Sequence, residues 1–390
     1  MNPPANLHSA LYDPEKTVKS GRRGALTFAS KACPPPGTAD FIMPASKAAR
    51  LAGKGGAPGA RSAPNRLAMR YSPGDRLNVT VFGAPELSGD YVVNADGRII
   101  FPYTGQIDAV GLTNDELSHR IERALIRGGL YVEGAVKLSV RPVQFAPINV
   151  SVSGAVFNAG RQTIGGIRDA DKLERALTKF GDNPMERYIP AALRAAGGVR
   201  PDADLSAVRV HRNGRTFVLD WRGAITGAQV DDMTLIEGDH VEVPESGCFQ
   251  SALVRPSQIT PPGVRIFTSN LTVPILPNPA SGNQQHSNSL PYGARLLQGL
   301  VHANCVGGTL ATNASRYAVL ISRNPKTRET EVVQRSIEEL VRSADRDMIN
   351  PYLMPDDAIA CYDSAATDVR DVMSLMSTIL TPAQQAKWLR

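Results

Sequence analysis

The sequence predicts an α+β protein made of several small mixed α/β domains in series, followed by a C-terminal amphipathic helix. Three observations predict it. Short segments such as DRLNVTVFG, AVKLSVRPV and INVSVSGAV alternate apolar and polar side chains, the period of half-buried strands. A capped helical pattern stands between two of them. The 34 glycines and 29 prolines among 390 residues supply the turns that many short strands need.

Residues 1–70 read as a poorly ordered arm. KACPPPGTAD and LAGKGGAPGARSAPN are rich in Pro, Gly, Ala and basic residues and hold no period. This arm carries 11 Lys/Arg against 3 Asp/Glu, whereas the remainder carries 32 against 34. The net charge of +6 is therefore a property of the arm, and no basic face for nucleic acid is implied in the folded part. GALTFASKAC approaches Cys33 through small residues, but it falls short of the roughly 7–15 apolar residues of a signal core, and Lys31 interrupts it. No apolar run of about 18 residues marks a membrane helix.

From Tyr71 the pattern tightens. Leu77, Val79 and Val81 alternate as one strand, and Asp96-Gly97 between two apolar runs is a hairpin signal. In GLTNDELSHRIERALIRGG, Thr113 and Glu116 have capping-box spacing. Leu117, Ile121, Ala124 and Leu125 share one helical face, and Gly128-Gly129 ends it. Two further alternating strands complete a unit over 71–147.

The rest repeats itself. AALRAAGGVRPDADLSAVRVHR resembles GLVHANCVGGTLATNASRYAVLISR: a short helix ending at Gly197-Gly198 or Gly307-Gly308, a loop, then a strand ending in Arg212 or Arg323. Each copy closes with an acidic turn and a strand, EGDHVEVPE and MPDDAIACYD, echoing PGDRLNVTV. The copies lie about 110 residues apart, too far for a solenoid with a period of roughly 20–50. Duplicated domains over 148–247 and 248–363 are expected, the second with a polar loop at 274–293.

Residues 364–390 form the last segment. At 100° per residue, Val369, Val372, Met373, Met376, Ile379 and Leu380 fall within about a third of the circumference. Arg370, Ser374, Ser377 and Thr378 lie opposite, and Pro382 ends the pattern.

Chemistry is hard to find. Six histidines are scattered without ligand spacing, and neither a nucleophile elbow nor a phosphate loop occurs. The expectation is no catalytic residue, no cofactor and no metal. Asp75, Asp239 and Asp357 recur without an acid/base partner, which favours a turn-capping role. Cys248, Cys305 and Cys361 could include one disulfide; sequence leaves the pairing open.

The segments YSPGDRLNVTVFGAPELSG, DGRIIFPYTGQIDAVGLTNDEL and VSGAVFNAG resemble the polysaccharide export domain of bacterial outer-membrane capsule and exopolysaccharide export proteins. The residues that carry the resemblance are Tyr71, Gly74, Asp75, Pro85, Glu86, Leu87, Asp96, Gly97, Pro102, Gly105 and Gly111. The two repeats resemble the soluble-ligand-binding β-grasp domains that follow it in that family. The resemblance implies a non-catalytic, oligomeric outer-membrane channel, commonly an octameric ring, with polysaccharide as cargo. It implies an inner-membrane co-polymerase or tyrosine autokinase as partner. It also implies a barrel of C-terminal helices, with Val369, Met373 and their neighbours toward lipid and Ser374, Ser377 and Thr378 toward the lumen. Cys33 is the position where lipidation would fall. The alternative is a periplasmic saccharide-binding or scaffold protein without a pore.

Overall fold

A computed structural model describes residues 67–165, 186–270, 287–306, 316–324, 329–344 and 346–363. These form two compact units, residues 67–245 with 257–260 and residues 246–256 with 261–363. The architecture is mixed α+β, with small sheets and short helices, the class that the sequence predicts.

In the first unit, β1 (Arg76–Val81) lies between β2 (Gly89–Val92) and β5 (Leu138–Gln144), antiparallel to both. Leu77, Val79 and Val81 are buried, and Arg76 at the start of the strand is exposed. Helix α1 (Asn114–Arg127) packs on β5 and turns Leu117, Ile121 and Leu125 into the same core. The Glu116 amide donates to the Thr113 hydroxyl at 3.3 Å, and the Thr113 amide donates to the Glu116 carboxylate at 2.9 Å. Two orphan amides of the first turn are thereby satisfied.

The Asp96-Gly97 turn forms, with the Gly97 amide donating to the Asn94 carbonyl at 2.9 Å, but it does not close a ladder. β2 stays with β1, while β3 (Arg98–Phe101) pairs with β4 (Gly105–Asp108). The Gly97 carbonyl accepts the amides of Ala109 and Val110, at 2.9 and 3.0 Å, which commits the following strand to β4. The hairpin closes at Pro102–Gly105 instead, where Tyr103 adopts φ 59°.

The same unit continues with β6 (Ile148–Gly154), β7 (Gly160–Ile164), helix α2 (Ile189–Ala195), β8 (Val208–Arg212), β9 (Arg215–Leu219), helix α3 (Gly223–Thr226) and β10 (His240–Val243). The sheet order is β7-β6-β10-β8-β9, with β10 parallel to β6 and every other pair antiparallel. A parallel pair needs a long crossover, which α2, the β8–β9 hairpin and α3 provide.

The second unit repeats this plan. It contains β11 (Gly263–Asn270), β12 (Ser287–Pro291), α4 (Leu296–His302), β13 (Arg316–Arg323), β14 (Thr330–Ser336), α5 (Ile337–Arg342) and β15 (Ala358–Asp363). The order is β12-β11-β15-β13-β14, with β15 parallel to β11. Part of the expected polar loop, residues 287–291, is thus a strand, because its backbone completes the edge of β11.

The helix stops also differ from the sequence reading. α2 ends with Gly197 at φ 77°, whose amide donates to Arg194, followed by Gly198 donating to Leu193. The matching bonds in the second unit run from Asn304, at φ 56°, to Val301 and from Cys305 to Leu300. Asparagine tolerates the left-handed cap, so α4 ends before Gly307-Gly308, which lie outside the described residues. Cys305 is joined to Cys361 by a disulfide, tying the end of α4 to β15. No helix among the described residues is long and apolar enough to cross a membrane.

Candidate functional site

Four of the motif residues, Tyr71, Gly74, Asp75 and Gly111, gather at one place, the segment 70–75 and what it touches. Tyr71 is buried, and its hydroxyl donates to Asn114 at 2.7 Å. Its amide donates to Leu112 at 3.0 Å and its carbonyl accepts from Gly111 at 2.8 Å, which bolts the segment to the start of α1. Burial and the nearby Asp75 charge push the Tyr71 phenol up, so it is a permanent donor. Gly74 has φ 88°, and a Cβ there would meet the Ala146 Cβ at 2.9 Å. Glycine is required by both conformation and space.

Asp75 is the hub. Its carboxylate accepts the Ser72 and Ala146 amides, each at 2.8 Å, and both arms of Arg187, at 3.0 and 2.5 Å. Arg187 also donates to the Ala146 carbonyl and stacks 5.1 Å over Phe145. Both charged side chains are fully buried. Burial pushes the Asp75 carboxyl above its usual range, against the pull of Arg187 and the two amides. The pair connects the first sheet to the segment preceding α2. Thr234 reinforces that join by donating to the Ala68 carbonyl at 2.9 Å, and the Glu237 amide donates to Ser72 Oγ at 3.3 Å.

The remaining motif residues shape the rest of the domain. Pro85, Glu86 and Leu87 form a single 3₁₀ turn with Leu87 buried, and Ser88 closes it by donating to Ala84. Asp96 and Gly97 make the turn before β3; Pro102 and Gly105 flank the β3–β4 hairpin. Gly111, at φ 75°, directs the chain from β4 into α1.

The acidic turn recurs with the same geometry. Asp239 accepts the Ile236 amide at 2.9 Å and both arms of Arg212, at 2.8 and 2.5 Å. Asp357 accepts the Met354 amide at 2.8 Å. Each aspartate caps the amide three residues before it.

Arg187 was missed in the sequence, since it lies 112 residues from Asp75 and in neither repeat motif. His211 and His240, scattered in sequence, are cross-strand neighbours with ring centroids 5.6 Å apart. His211 contacts Glu242 at 3.1 Å and Thr216 at 2.9 Å, and His240 contacts Ser153 at 2.8 Å. Among the described residues no group of three metal-ligating side chains assembles. Residues 364–390, with all the positions assigned to lipid and lumen, lie outside the described residues, as does Cys33.

The family model described as polysaccharide biosynthesis/export protein matches residues 63–141. Over 206 residues the chain is 31% identical to the EPS I polysaccharide export outer membrane protein EpsA of Ralstonia nicotianae, covering 51% of this chain and 48% of that protein. The EpsA of Ralstonia solanacearum is 31% identical over 198 residues, 49% of this chain and 46% of that protein. The polysialic acid transport protein KpsD of Escherichia coli is 27% identical over 136 residues, 34% of this chain and 23% of that protein. The chain spans about half the length of the EpsA relatives it matches.

Proposed function

We propose, from the premise that through residues 63–141 this chain belongs to the polysaccharide biosynthesis/export protein family, that it is a non-catalytic subunit of an outer-membrane channel for capsular or exopolysaccharide. The observation that carries the reading is the hub at Tyr71–Asp75. Tyr71 and Asp75 spend their polar side-chain groups on internal hydrogen bonds and leave no poised nucleophile or acid/base pair at the hub. They build a rigid platform.

A conduit for a long hydrated glycan needs walls, and walls need identical neighbours. Seven of the eleven large apolar side chains left exposed among the described residues, Phe82, Tyr103 and Val132 among them, belong to the domain read over 71–147. Such apolar surface favours contacts between copies of that domain in a ring. The two repeats, read as β-grasp domains of 148–247 and 248–363, would stack as further rings in the periplasm. The disulfide between Cys305 and Cys361 supports an oxidising compartment. The segment 364–390 would supply the crossing. A single two-faced helix cannot satisfy lipid and water at once, whereas a closed barrel of them turns Met373, Met376 and Leu380 to lipid and Ser374, Ser377 and Thr378 to a wet lumen. An inner-membrane co-polymerase or tyrosine autokinase would deliver the polymer.

The test is the mass and shape of the detergent-solubilised protein, with and without residues 364–390. A multi-subunit ring whose truncated form no longer partitions into outer membrane is expected. A stable monomer, or a truncated protein that still supports export, refutes the channel and leaves a scaffold role.

A further inference from the structure

The third acidic turn is built differently from the other two. Asp75 and Asp239 each grip an arginine; among the described residues none pairs with Asp357. The ladder registers locate the change. In the β10 sheet His240 pairs with His211, so Asp239 faces Arg212, which itself pairs with Arg215. In the β15 sheet Ala358 pairs with Ile321, so Asp357 faces Ser322, which pairs with Glu331. A serine and a glutamate stand where the first copy has two arginines. Arg323, the sequence counterpart of Arg212, falls one residue further along, on the opposite side of the strand, and is exposed.

Asp357 is 0% exposed and Glu331 8%. No hydrogen bond of normal geometry reaches the second oxygen of Asp357, Oδ1, although the neighbouring Ser322 hydroxyl lies close enough to favour the charged carboxylate in part. Around the pair stand Ser322 from β13, Asn324 with its amide 3.5 Å from Glu331, and the carboxylates of Asp356 and Glu329. Asp356 is exposed and paired with Arg265 at 3.1 Å. Arg335, buried on β14, donates to the Ile349 and Gln334 carbonyls instead.

We propose that Asp357 and Glu331 form a proton-dependent latch inside the β15 sheet, closed when the pair carries a proton and loosened when both carboxyls ionise. Two buried carboxylates with no cation paired to them among the described residues cannot both keep their charge. A protonated Asp357 turns its Oδ1 into a donor, which its two counterparts never need because arginine fills that place. Burial pushes Asp357 up to about 7, helped by the charges of Asp356 and Glu331, and pushes Glu331 up to about 7, helped by Glu329. The folded sheet therefore holds these protons more tightly than the unfolded chain. Its stabilisation is complete in acid and is lost as the pH rises through about 7.

The experiment is hydrogen exchange by mass spectrometry on the full chain between pH 5.5 and 8, corrected for the intrinsic rate. For one proton with the Asp357 value above, protection of peptides from 316–323 and 358–363 is expected to fall about thirtyfold across that range. Peptides from 208–212 and 240–243, where Arg212 neutralises Asp239, should hold steady. Asp357→Asn, a neutral isostere, should flatten the response while keeping the sheet folded, and Glu331→Gln should reduce it. A flat wild-type profile, or an unchanged slope in Asp357→Asn, overturns the proposal. So does recovery of protection at pH 8 on adding magnesium or calcium, which would make the pair a cation site.

Discussion

Arg187→Met is the sharpest perturbation of the hub. Methionine keeps the aliphatic packing against Phe145 but removes the guanidinium, leaving the buried Asp75 with only the Ser72 and Ala146 amides. Both partners are 0% exposed, so no water replaces the lost cation. Breaking a buried ion pair from one side costs about 3–5 kcal/mol, because the remaining charge is stranded. Removing both charges in Asp75→Asn/Arg187→Met should return about 2 kcal/mol of that, since asparagine can still accept one of the two amides. The assay is calorimetric unfolding of the full chain at neutral pH, paired with hydrogen exchange at 72–76, 144–150 and 233–239. Those three segments should lose protection together, because the pair joins them. A loss under about 1 kcal/mol in the single variant, or a double variant as damaged as the two singles added, would refute the stranded-charge account.

Three other outcomes are expected. Gly74→Ala should destabilise the first sheet by about 1–3 kcal/mol, measured by denaturant unfolding, since its φ of 88° and the Ala146 contact at 2.9 Å both resist a side chain. Thr113→Ala should cost about 1 kcal/mol by the same measurement and raise exchange in the first turn of α1, through loss of one cap bond. Cys305→Ala should lower the stability of the second unit by up to about 4 kcal/mol, the loop-closure entropy of a link 56 residues apart, and differential scanning calorimetry should show the loss in that unit's transition alone.

Local patterns were the legible part of this molecule. The cap at Thr113–Glu116 and the alternation of Leu77, Val79 and Val81 need only neighbours in sequence, and both appear in the structure. The Asp96-Gly97 turn was legible as a turn, but which strand follows it into a ladder depends on the amides of Ala109 and Val110, a dozen residues on. The helix stop at Asn304 was hidden because Gly307-Gly308 offered a stronger signal nearby. The three aspartates were legible as turn caps, yet their partners were not. Arg187 is contributed by a distant segment, and the exchange of Arg212 for Ser322 becomes visible only when two ladders are set in register.

β15 is gripped on both flanks, by β11 running alongside it and β13 running against it, and the chain passes from its end into residue 364. Tension arriving along the backbone from that direction acts down the strand axis. Its ladder bonds are then loaded in shear and must rupture together, unlike an edge hairpin that unzips bond by bond. The sulfur link from Cys361 to Cys305 adds a covalent rivet two residues before the strand's end. A pull from that side would meet the two ladders and the sulfur link together.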